Sequence, residues 1–186
     1  MPRAADTSCP KVAVFIRNEA LSPANREVRM RLRNLVAALP LALLAHCAGT
    51  DLAKTIPSEK VTTSTSDAAE AARIISQYRT QHGLSPVSAD SQLNQAALHQ
   101  ARAVAEAGKL SHGAFASRMD TYRIAGYSAE NLSAGSDSVG GAITRWKNSS
   151  GHNANLLMPQ AKRIGLARAD SPGLGYGHYW ALVLAQ

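Results

Sequence analysis

Beyond residue 47 the sequence contains no cysteine, since Cys9 and Cys47 are the only two. That excludes a disulfide framework, and a thiol nucleophile, from everything downstream. No apolar stretch reaches the roughly 20 residues of a membrane span. HExxH and GxSxG are both missing, so neither the helical zinc-protease motif nor a serine-hydrolase elbow is present. Strong charge of one sign is lacking too. Seven of the 20 Lys and Arg and three of the 13 Asp and Glu lie in residues 1–47, which leaves a net charge of only +3 after them. With no basic stripe interleaved with aromatics, a nucleic-acid partner is not expected.

What is present begins with Leu35–Ala45, LVAALPLALLA, preceded by Arg31 and Arg33. A positive n-region, a short apolar core and small residues after it describe a secretory signal peptide. Met30 gives that signal an ordinary start, so residues 1–29 are expected to lie upstream of the true initiation site, with the signal at 30–47. Leu44, Ala45 and Cys47 form a lipoprotein-like box in which Cys47 would be acylated, although His46 stands where a small residue is usual; ordinary cleavage near Ala48 is the alternative. Residues 48–66, rich in Ser and Thr, read as a polar tether. The folded domain is expected over 67–186.

Within it, Ser66 reads as the N-cap of a helix to about His82, with Ala71, Ile74, Ile75 and Tyr78 as its apolar stripe and Gly83 after its end. A second helix over about 90–107 buries Leu93, Ala97, Ala101, Val104 and Ala105, which turns His99 to solvent. His82 suits the negative end of the first helix. Phe115, Met119 and Tyr122 mark a third helix, and Val139, Ile143 and Trp146 a fourth. RIGLARA (163–169) and GHYWALVLA (177–185) alternate as strands, joined through SPGLGYG as an antiparallel hairpin. Helices followed by a late antiparallel sheet indicate an α+β fold.

The polar residues concentrate around GYSAENLSAG, Gly126–Gly135, with Glu130 and Asn131 at its centre. His112 precedes it and His152 and His178 follow. Taken singly, each has a structural explanation: an ion pair for Glu130, a helix cap for His112, a helix N-terminus for His152, a satisfied core position for His178.

Taken in order, LSH, RIAGY, AEN, the W-x-x-S-x-G-H-x-x-N-L segment from Trp146 to Leu156, IG and the closing GHYW resemble the CAP superfamily of cysteine-rich secretory, antigen 5 and pathogenesis-related proteins, in its bacterial branch. The resemblance runs from about Ala69 to the C-terminus. It implies an α-β-α sandwich, with a small, largely antiparallel central sheet flanked by helices, and a cleft where two histidines and two glutamates meet. By position, His112 matches the first family histidine, Glu130 the first glutamate and His178 the second histidine. Ser149 stands where the second glutamate would be, and His152 follows it. The implied metal set is therefore His112, Glu130, His152 and His178, able to hold zinc or another divalent ion, with Asn131 supporting the backbone at the cleft. A metal-free hydrogen-bond network is the alternative.

The function so implied is a secreted or envelope-anchored binding module for a lipid, a peptide or a cell-wall fragment. Its expected location is beyond the inner membrane: periplasmic, extracellular, or held to the envelope through a lipid on Cys47. The competing expectation is a metal-dependent hydrolase with Glu130 as base.

Overall fold

The structure is a computed structural model that describes residues 14–15, 61–173 and 175–186. The signal at 30–47, its candidate lipidation residue Cys47 and the tether as far as residue 60 lie outside the described residues.

The elements run β1 (Val14–Phe15), β2 (Thr62–Ser64), α1 (Ala68–Gln81), β3 (Ser88–Ala89), α2 (Ser91–Ala107), α3 (Phe115–Thr121), β4 (Ser128–Ala134), α4 (Val139–Lys147), α5 (Ser150–Leu156), β5 (Arg163–Asp170) and β6 (His178–Ala185). Along the sheet the order is β1-β4-β6-β5-β2, and β3 pairs in parallel with β5. Every other pairing is antiparallel. The fold is thus α+β, with a largely antiparallel sheet between two helical layers.

Alternation along β6 explains the two layers. Trp180, Leu182 and Leu184 pack with α1, α4 and α5, while Tyr179, Ala181, Val183 and Ala185 pack with α2 and α3. Successive side chains of a strand point to opposite faces, so a strand covered by helices on both sides must be apolar at every position. Trp180, Leu182 and Leu184 are buried, and so are Tyr179, Ala181, Val183 and Ala185 on the other face. Gly165 on β5 fits the same need for close approach: a Cβ there would sit 2.0 Å from the Leu93 carbonyl carbon of α2. Only glycine lets α2 lie this close to the sheet, and Leu166 N–H donates at 3.0 Å to Asn94 Oδ1 of that helix.

Two expectations change, and one element is added. The tether is shorter than 48–66, because Val61 is buried and Thr62–Ser64 pair with Arg168–Asp170 of β5. Asp67, rather than Ser66, is the N-cap of α1, without a side-chain cap bond. The added element lies within GYSAENLSAG: Ser128–Ala134 is a seven-residue strand buried throughout, with glycines at positive φ only at its flanks, Gly126 (79°) and Gly135 (77°). Its polar residues hid a strand that tertiary contacts satisfy.

β4 lies near one edge of the sheet. Val14 and Phe15, within the stretch expected upstream of the start, pair with Ala129 and Ser128 there. Farther along, helices take over. The carbonyls of Glu130, Leu132 and Ala134 accept from Asn155 Nδ2 (3.3 Å), Trp146 Nε1 (3.0 Å) and Arg145 Nη1 (3.1 Å). Side chains of α4 and α5 thereby occupy acceptors that an exposed edge would offer to another chain.

Candidate functional site

Glu130 is fully buried on the α2/α3 side of β4. A buried carboxylate requires partners, and two basic groups supply them. His112 Nδ1 donates to Oε1 at 2.8 Å, and Arg118 Nη2 donates to Oε2. The loop carrying His112 is itself held: Gln100, buried in α2, donates to the Ser111 carbonyl, and Arg118 Nη1 lies 3.4 Å from the His112 carbonyl. With Nδ1 committed to Glu130, His112 keeps Nε2, which is buried without a partner among the described residues. Arg118 was not singled out from the sequence. The available signal was its position three residues after Phe115 and one before Met119, on the buried stripe of α3.

On the other face of β4, Asn131 Nδ2 donates to the His152 carbonyl at 3.0 Å and its Oδ1 accepts from Asn155 Nδ2 at 2.9 Å. Asn131 thus ties α5 to the strand. His152 is buried and shares a 2.9 Å hydrogen bond between Nδ1 and Ser149 Oγ. Burial first, and then the nearby charge of His112, hold its pKa below the ordinary imidazole value. His112 and Glu130 therefore form one contact and His152 and Ser149 another.

His178 does not join them. In the β4–β6 register Val183 is opposite Glu130, whereas His178 stands five residues earlier on β6, roughly 16 Å along the strand. There His178 closes the β5–β6 hairpin opposite Asp170, donating from Nδ1 to Oδ1 at 2.7 Å, with Asp137 Oδ1 3.6 Å from Nε2. Burial raises the Asp170 pKa, but hydrogen bonds from His178 and Arg168 outweigh it, and the carboxyl ends below its usual value.

This placement bears on the metal. Among the described residues no group of three or more His, Cys, Asp or Glu side chains is gathered where one ion could be held. Structural zinc sites use four protein ligands and catalytic ones three. Here both Glu130 oxygens serve His112 and Arg118, and His178 serves Asp170, so the expected four-residue centre does not fit.

Beside the cluster, at the edge of the sheet, opens a cavity of about 720 Å³. Leu132, Ser133 and Ala134 of β4 form its floor; Arg145 and Trp146 of α4, Ser149, Ser150 and His152 around the start of α5, and Tyr176 also line it. The volume suits a small ligand. The sequence pointed to His152 and to the place of Ser149, but not to Arg145 or Tyr176.

Residues 72–184 match the family described as the cysteine-rich secretory protein family, CAP. No curated protein matches the chain. Solved structures that share the fold include the following three. An extracellular protein containing an SCP domain from Bacillus anthracis is 20% identical with a TM-score of 0.56, over 64% of this chain and 40% of that one. An outer surface protein from Borrelia burgdorferi is 19% identical with a TM-score of 0.56, over 67% of this chain and 98% of that one. A cysteine-rich secretory protein from Staphylococcus aureus is 19% identical with a TM-score of 0.51, over 64% and 38%. The match thus spans about two fifths of the Bacillus and Staphylococcus proteins.

Proposed function

The chain belongs to the cysteine-rich secretory protein (CAP) family, and from that premise we propose that it is an extracytoplasmic binding module for a peptide or glycan fragment of the cell envelope. The observation that carries this reading is the lining of the cavity. Seven polar residues line it, Ser133, Arg145, Asn148, Ser149, Ser150, His152 and Tyr176, beside Leu110, Leu132, Ala134 and Trp146. Such a surface matches a ligand rich in hydroxyl and amide groups, because each polar group left without a partner on binding costs affinity. A sterol or acyl chain would leave most of them unpaired.

The extracytoplasmic location rests on the signal expected at residues 30–47 and agrees with the description of similar folds as extracellular or outer-surface proteins. Anchoring through Cys47 is part of the same proposal. The hydrolase alternative draws little support, since Glu130 is buried and gives both oxygens to His112 and Arg118, leaving none turned to a water.

Co-sedimentation of the purified chain with bacterial peptidoglycan sacculi tests the reading. Binding by the wild type and its loss in Ser150→Trp, which places an indole in the cavity, is the expected result. Flotation with phospholipid vesicles, without sedimentation on sacculi, would overturn it in favour of a lipid ligand. Turnover of a peptide, ester or glycan that vanishes in Glu130→Gln with the fold intact would overturn it in favour of a hydrolase.

A further inference from the structure

Arg73, Arg102, Arg118, Arg163 and Arg168 each have a carboxylate partner. Among the described residues Arg145 has none, and its one side-chain hydrogen bond there is from Nη1 to the Ala134 carbonyl. That bond fixes one corner of the guanidinium and leaves its other N–H groups unassigned. The cavity it lines contains no Asp or Glu, so its formal charge comes from Arg145 and from His152 when protonated. Tyr176 stands next to it: a Cβ at Gly135 would be 3.6 Å from the Tyr176 ring and 3.9 Å from Arg145 Nη1. The Tyr176 ring and the Arg145 guanidinium thus both lie beside Gly135 at the cavity wall.

We propose that Arg145 anchors an anionic group of the ligand, a carboxylate or a phosphate, with the remainder of the ligand running past Tyr176 towards Ser149 and Ser150. The proposal rests on the binding-module reading and narrows its ligand class. A planar fork of N–H donors suits a two-oxygen acceptor, and a site with no competing carboxylate gives that acceptor its charge partner. A neutral saccharide would leave the guanidinium without one.

The test is titration of the full chain with sodium phosphate and, separately, sodium acetate. Ionic strength is matched with sodium chloride, and the Trp146 indole and His152 imidazole resonances are followed. The expected result is a saturable shift with at least one anion, weakened about tenfold or more in Arg145→Gln and less in Arg145→Lys. A response to phosphate alone assigns a phosphoryl group, and one to acetate alone assigns a carboxylate. Equal affinity in Arg145→Gln, or no shift with either anion, overturns the proposal. Sacculus binding separates this failure from that of the parent reading. Wild-type binding retained in Arg145→Gln but lost in Ser150→Trp keeps the module and rejects the anion anchor. An Arg145-dependent anion response without sacculus binding keeps the anchor and rejects the envelope ligand.

Discussion

His112 Nδ1 meets Glu130 Oε1 at 2.8 Å across 18 residues of sequence, joining the loop after α2 to the middle of a buried strand. Arg118 takes the other carboxylate oxygen, so the histidine is one of two basic partners for a charge that has no access to water.

Glu130→Gln should therefore destabilise the domain. It neutralises the carboxylate and leaves the buried Arg118 guanidinium without its counter-charge, a change that costs about 3–5 kcal/mol for a buried pair broken on one side. Urea denaturation of the wild type and variant measures it, and a loss below about 1 kcal/mol would show that the pair is not structural.

Acid should weaken the fold through His152. Its folded pKa lies below the ordinary 6.5, with burial as the main cause, so the unfolded chain binds the proton more readily. Stability is then undiminished above the unfolded value and falls as pH drops from there through the lower folded pKa. Melting temperature measured from about pH 8 to 5 should decline less steeply in His152→Gln than in the wild type; identical slopes would remove His152 from the account.

At Gly165 the added methyl of Gly165→Ala meets the α2 main chain, which cannot rotate aside as a flexible side chain would. The cost should lie at the upper end of the range usual for overpacking, about 3 kcal/mol. A soluble variant with a wild-type thermal midpoint would show that α2 does not pack on β5 in this way.

Zinc added to the purified chain should give no saturable one-to-one calorimetric isotherm at neutral pH. Glu130 is occupied by its two basic partners and His178 by Asp170, which removes half of the expected ligand set. An isotherm present in the wild type and abolished by His112→Ala with His152→Ala would show that the cluster rearranges to take the ion.

The helices were legible because their signal is local. Ala71, Ile75, Leu93, Ala97, Ala101, Val104 and Ala105 recur at helical spacing, and all are buried. The β5–β6 hairpin was legible for a similar reason: two alternating runs flank a turn rich in glycine. The ordered motifs from LSH to GHYW added the family and, with it, the α-β-α arrangement.

Tertiary structure decided the rest. A strand reading SAENLSA carries no apolar alternation, and it becomes a buried strand only because Arg118, His112, Asn155 and Trp146, from four other segments, satisfy its charge and its carbonyls. Which histidines share the site was also undecidable from spacing along the chain. β-Sheet register places each residue opposite a particular partner, so His152 comes to β4 through Asn131 while His178, only five residues from Val183, is carried to the far end of the hairpin. Local periodicity follows from the geometry of one element; convergence of charges follows from how several elements pack, which no single stretch of sequence contains.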